Sequence, residues 1–104
     1  MVCLTVLYPA APGSRFDWDY YLGVHMALAH RLLDPQGLVR IEIERGIDGF
    51  PPGSAAPFHA VARLFFQSAR ELESALGATA PELIADVPNY TDNATQVQVS
   101  EIVV

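Results

Sequence analysis

His25 is the side chain best placed to do chemistry in this sequence. It falls on an apolar stripe with Trp18, Tyr21 and Leu22, at near-helical spacing. An imidazole partly removed from water in such a place can act as acid, base or hydrogen-bond donor near neutral pH. The alternative is a core histidine satisfied by a backbone carbonyl or a tyrosine hydroxyl. His30 is five residues further on, roughly 140° around a helix of 3.6 residues per turn, so the two do not share a face. No Cys/His cluster and no His-Glu-x-x-His spacing occurs, and no metal site is expected. His59 alternates onto the strand face of Val61, Arg63 and Phe65, where a solvated or interface role is expected. Cys3 has no basic neighbour or helix start in sequence to lower its pKa, so it reads as a buried thiol.

The aromatic side chains are numerous for so short a chain, and some could line a pocket for a planar apolar ligand while others pack the core. Trp18 and Tyr21 are the candidate walls. Asn89, Tyr90, Thr91 and Asp92 follow Pro88 and form either a hydrogen-bonded turn or the polar rim of that pocket. Asn89, Tyr90 and Asp92 are therefore the candidate polar ligand contacts. Gly49-Phe-Pro-Pro-Gly53 lacks the spacing and the lysine of a phosphate loop, and no serine nucleophile elbow is present. No cofactor is expected.

The elements that must position these residues are legible in outline. Val2 to Tyr8 is apolar, rich in β-branched residues and stopped by Pro9: a strand. Asp17 is a helix N-cap, with Phe16 before it able to staple onto Tyr21, and Asp34-Pro35-Gln36-Gly37 ends that helix. Leu38 to Arg45 alternates as a half-exposed strand, and Gly46 to Pro57 is a loop. Phe58 to Phe66 is a strand with two apolar faces. Ser68-Ala-Arg-Glu71 opens a helix that Gly77 is expected to stop, and Thr79-Ala-Pro-Glu82 opens a second, short one running to about Asp86. A turn-like stretch leads to a last strand, Gln96 to Val104.

This β-α-β-β-α-β order is the split βαβ pattern of a ferredoxin-like α+β fold, an antiparallel sheet with its helices on one face. The other face would lie bare. Strands one, three and four each place apolar residues on both faces, as with Leu4 and Val6 against Leu7, or Val97 and Val99 against Ile102 and Val104. A twin subunit, sheet to sheet, would cover the bare face.

Composition narrows the function. The chain has 104 residues and a formal net charge of −6, with six Arg, no Lys and only 17% charged residues. One domain is expected at this length. Nucleic-acid binding is excluded for want of clustered cations. The N-terminal apolar run is too short for a signal peptide or a membrane span, and one cysteine makes no internal disulfide, so a cytoplasmic protein is expected. The scarcity of charge also favours a homodimer, because a buried interface needs no charged cover.

Several segments carry a resemblance. Val-Leu-Tyr8-Pro, Phe16-Asp17-Trp-Asp-Tyr20-Tyr21, His25-Met26, Glu44-Arg45-Gly46 and Asp86-Val-Pro88-Asn89-Tyr90-Thr91-Asp92 resemble EthD-type proteins over nearly the whole chain. Ala27 departs from the pattern, which has proline after His-Met. The resemblance implies a dimeric α+β barrel of two ferredoxin-like units. It also implies kinship with cofactor-free oxygenases, polyketide cyclases, isomerases and dehydratases, and with proteins of ether-degradation gene clusters. The resulting expectation is a homodimer holding a hydrophobic, aromatic or polyketide-like small molecule between the first helix and the sheet, with His25 as the proton-transfer or polarising group. The rival expectation is a non-catalytic accessory protein that stores or delivers the same kind of metabolite.

Overall fold

The computed structural model describes residues 1–104. Four strands, β1 (Val2–Pro9), β2 (Arg40–Arg45), β3 (Phe58–Phe66) and β4 (Gln96–Glu101), form one sheet in the order β2-β3-β1-β4, with every pair antiparallel. Two helical segments pack on one face: this is the ferredoxin-like α+β fold.

Register decides which side chains meet the helices. Val2, Leu4, Val6 and Tyr8 stand opposite Phe66, Leu64, Ala62 and Ala60, and this set joins the core beneath the helices. The alternate residues, among them Cys3, Thr5 and Leu7 on β1 and Val61, Arg63 and Phe65 on β3, point to the opposite face. Phe65 is buried there without a helix above it, because the Arg40 guanidinium lies 3.9 Å from its ring centroid. β4 departs from expectation. Its outward residues, Gln96, Gln98 and Ser100, are polar, while Val97 and Val99 share the helix-side face. The strand ends at Glu101, so Ile102 to Val104 lie outside it and make no second apolar face.

The first helical segment is interrupted by a wider turn. It comprises α1 (Trp18–Tyr20), a π-helical turn (Tyr21–His25) and α2 (Met26–Leu33), followed by a 3₁₀ turn (Asp34–Gln36). Asp17 caps it as the sequence predicts, accepting the Tyr20 N–H at 3.1 Å, and Phe16 packs on Tyr21 with ring centroids 5.0 Å apart. The Met26 N–H reaches back five residues to the Tyr21 carbonyl. Tyr21, His25, Ala29 and Leu33 are buried at intervals of four, whereas Leu22 is 50% exposed and does not belong to the inward stripe. Turns of this kind are concentrated at functional sites.

The second helix corrects the sequence reading. α3 runs unbroken over Ala69–Asp86, with Ser68 as its cap accepting the Glu71 N–H at 3.2 Å. Gly77 does not stop it, and Pro81 lies inside it. Pro81 has no N–H to offer the Gly77 carbonyl four residues back, so the helix passes it one hydrogen bond short. Thr79 caps nothing. It is buried and donates its hydroxyl to the Ala75 carbonyl at 2.8 Å. A 3₁₀ turn, Val87–Asn89, then delivers Tyr90 to the core, where it is fully buried.

Candidate functional site

α3 ends at the residue that holds His25. Asp86 Oδ2 accepts the His25 Nδ1–H at 2.8 Å, with both side chains largely withdrawn from solvent. The other carboxylate oxygen, Oδ1, accepts the Tyr20 hydroxyl at 2.6 Å and the Asn89 amide at 2.9 Å. Burial alone would push the Asp86 carboxyl up. The hydrogen bonds from Tyr20, Asn89 and His25 outweigh it and hold the group below the usual carboxylate range. An ionised Asp86 is acceptor-only, which places the neutral histidine's proton on Nδ1 and leaves Nε2 as the basic nitrogen.

From Nε2 the network continues inward. The Tyr90 hydroxyl is 3.3 Å from Nε2, and the Tyr8 hydroxyl is 2.9 Å from that of Tyr90. Four groups on four stretches of chain thus form one line: Asp86 on α3, His25 on the π-helical turn, Tyr90 after the 3₁₀ turn and Tyr8 on β1. The Tyr21 ring stacks on the His25 imidazole at 5.6 Å between centroids. The Tyr21 hydroxyl is buried and has no hydrogen-bond partner. Burial raises the pKa of Tyr8, Tyr21 and Tyr90, so all three stay protonated.

Beside this line lies a cavity of about 220 Å³ between the sheet and both helical segments. Apolar side chains from β1, β3, α2 and α3 make most of its wall, and Tyr8, Tyr21, His25 and Thr95 bring the polar atoms. Ile84 and Val97 line it and are also exposed, 67% and 56%, so the mouth opens between the end of α3 and the edge strand β4. No Arg lines the cavity, and the chain has no Lys. The wall suits an uncharged apolar molecule.

The structure distributes the candidate residues differently from the sequence reading. Tyr21 and His25 line the cavity, while Trp18, Asn89, Tyr90 and Asp92 do not. Trp18 is half-buried on the far side of Tyr21, beneath the Arg45 guanidinium at 4.4 Å. Asn89 props Asp86. Asp92 accepts the Arg15 N–H at 3.0 Å and pairs with its guanidinium at 3.4 Å. With the Asp17 N–H donating to the Tyr90 carbonyl and the Thr91 hydroxyl to that of Arg15, these contacts fasten the segment that carries Tyr90. Asp86, Tyr8 and Tyr20 were missed as parts of the network. Asp86 opens the quoted Asp-Val-Pro-Asn-Tyr-Thr-Asp run, yet 61 positions separate it from His25, and no local spacing signals the pairing.

Comparison with known proteins places the fold and the family. An EthD-like protein from Ralstonia eutropha is 32% identical, with 99% of this chain and 92% of that one aligned at a TM-score of 0.91. An ethyl tert-butyl ether d (ethd) family protein from Bacillus halodurans is 20% identical over 98% of both chains, TM-score 0.75. SnoaB, a cofactor-independent oxygenase from Streptomyces nogalater, shares the fold at 10% identity and TM-score 0.64, covering 98% of this chain and 91% of its own. No curated protein matches the sequence. The EthD domain family matches residues 14–94, a span that contains both His25 and Asp86, and the chain belongs to that family.

Proposed function

We propose that this protein is a cofactor-free acid–base catalyst that encloses a neutral, largely apolar metabolite and moves a proton with His25. One observation carries the reading: an imidazole oriented at 2.8 Å by a largely enclosed carboxylate lines a mostly apolar cavity. An orienting acid on one ring nitrogen and a lone pair on the other, reached from the cavity through the Tyr90 and Tyr8 hydroxyls, are the working parts of a general base. Cyclisation, isomerisation and dehydration of carbonyl compounds can each begin by moving such a proton. The cofactor-independent oxygenase of the same fold is consistent with chemistry that needs no added group.

Size limits the substrate. A cavity of about 150 Å³ holds one benzene, so about 220 Å³ accepts one ring with a short substituent. That fit favours monocyclic aromatics or short chains over polycyclic polyketides. The working unit is a homodimer, supported by an outer sheet face that neither helix covers and by Leu7 and Val61 half-buried upon it. Acetophenone is a suitable probe. Its titration is expected to shift the NMR resonances of Ala62, His25 and Leu83, and Ala80→Phe, which fills the cavity from α3, is expected to abolish those shifts while leaving the fold intact. Shifts confined to other surfaces, or unchanged in the variant, would remove the cavity from the account.

A further inference from the structure

The Tyr21 hydroxyl is a polar group left over by the mechanism. It is fully buried, lacks a partner and belongs to a cavity-lining side chain. A buried donor without an acceptor costs stability, and the group closest in influence is the Tyr8 hydroxyl, the inner end of the hydrogen-bonded line, toward which the Tyr21 hydroxyl is oriented without closing a hydrogen bond. Direction along that line follows from Asp86. With the His25 proton on Nδ1 facing the carboxylate, Nε2 accepts from Tyr90, and Tyr90 in turn accepts from Tyr8. The Tyr8 oxygen then has a free lone pair and no free proton. Tyr21 has a free proton. An acceptor and a donor side by side match one hydroxyl group.

We propose that the site takes a compact phenol or enol and ionises it through Tyr8 and Tyr90 to His25. This deepens the acid–base reading and rests on it. The ligand O–H bond breaks as its proton passes to Tyr8 Oη. Tyr8 gives its own proton to Tyr90 Oη, and Tyr90 gives its proton to His25 Nε2. Each tyrosine ends neutral, as burial requires of it. The ligand oxygen keeps the electron pair, and the imidazolium is matched by Asp86. After transfer Tyr8 donates instead of accepting, so the new oxyanion receives hydrogen bonds from both Tyr8 and Tyr21. The donors are fixed before the charge appears, which is the arrangement that stabilises a developing oxyanion. The groups that face His25 are Asp86 from α3, Tyr90 after the 3₁₀ turn, Tyr21 from its own turn and the stack beneath it. None is a cation that would oppose the imidazolium.

4-Nitrophenol tests this, because its phenolate absorbs at longer wavelength than the neutral form and its size, about ten non-hydrogen atoms, suits a cavity larger than the benzene site used for scale. Below the pH at which free 4-nitrophenol ionises, the protein-bound probe is expected to show an ionised-to-neutral ratio at least about tenfold above that of free probe, equivalent to one pK unit. Tyr8→Phe breaks the line and should bind the probe in its neutral form. Tyr21→Phe keeps the line but loses one donor, and should give an intermediate ratio. Nitrobenzene, which has no proton to give, should bind wild type and Tyr8→Phe alike. Bound 4-nitrophenol with the spectrum of its neutral form, or equal ionisation in wild type and Tyr8→Phe, would overturn the relay while leaving the cavity reading standing. Failure of both probes to bind would overturn both.

Discussion

A single carboxylate governs the chemistry of His25. Asp86 fixes the imidazole tautomer, takes hydrogen bonds from two further side chains and would neutralise the imidazolium. Its carboxyl is held below the usual range, so the ionised form is favoured in the folded state over the unfolded one. The linked stability is fully present above the unfolded value of about 3.9 and is lost as pH falls through the lower folded value. Asp86→Asn should therefore flatten the acid limb of a stability-against-pH curve below about pH 4, while lowering stability at neutral pH by about 1–3 kcal/mol through mismatched hydrogen bonds. Urea unfolding across the pH range reads both effects, and an unaltered acid limb would count against the network. The histidine was legible in the sequence because it breaks an apolar stripe. Its acid was not, since the pairing depends on where α3 ends, and that in turn depends on whether the helix survives Pro81.

At the scale of elements, α3 is where local sequence signals and the fold disagree. Glycine followed by Thr-Ala-Pro-Glu reads as a stop and a restart, but packing of Leu72, Ala75 and Thr79 against the sheet carries the helix through. Tertiary burial overrides a weak local preference. A continuous helix also puts Asp86 at its last position, facing the π-helical turn. The disagreement can be tested at Gly77, whose missing Cβ would meet nothing within 4 Å and whose φ is not positive. Gly77→Ala should raise stability by about 0.5–1 kcal/mol, the ordinary gain from replacing an exposed helix-interior glycine. A helix ending there in a left-handed residue would instead be destabilised, and thermal melting distinguishes the signs. Other elements followed from pattern alone: the Asp17 cap, the alternation of β2 and the apolar run of β3 need no distant partner to be read.

The whole molecule places a small apolar cavity under one sheet face and leaves the other face without a helix, the face the proposed dimer would cover. Leu7 tests that surface with less damage than the buried Phe65, since it is half-buried and points outward beside Val61. Wild type is expected to sediment as a dimer at micromolar concentration, with an interface of about 2,000 Å² or more, and Leu7→Asp as a folded monomer. A stable wild-type monomer would contradict the assembly. The antiparallel sheet and its bare face could be read from the order of strands and helices. A pocket between the first helix and the sheet was expected as well, but its size could not be read, because its volume depends on how α3 and the π-helical turn stand off from Ala62 and Leu64. Proton transfer in this cavity is read by deuterium uptake from heavy water into the methyl group of acetophenone, followed by mass spectrometry. Wild-type protein is expected to accelerate the exchange, and His25→Ala to slow it by about 10²–10⁴-fold, the usual contribution of a positioned acid or base. Acetophenone bound in the cavity with exchange no faster than in buffer would contradict the claim and leave the protein a carrier.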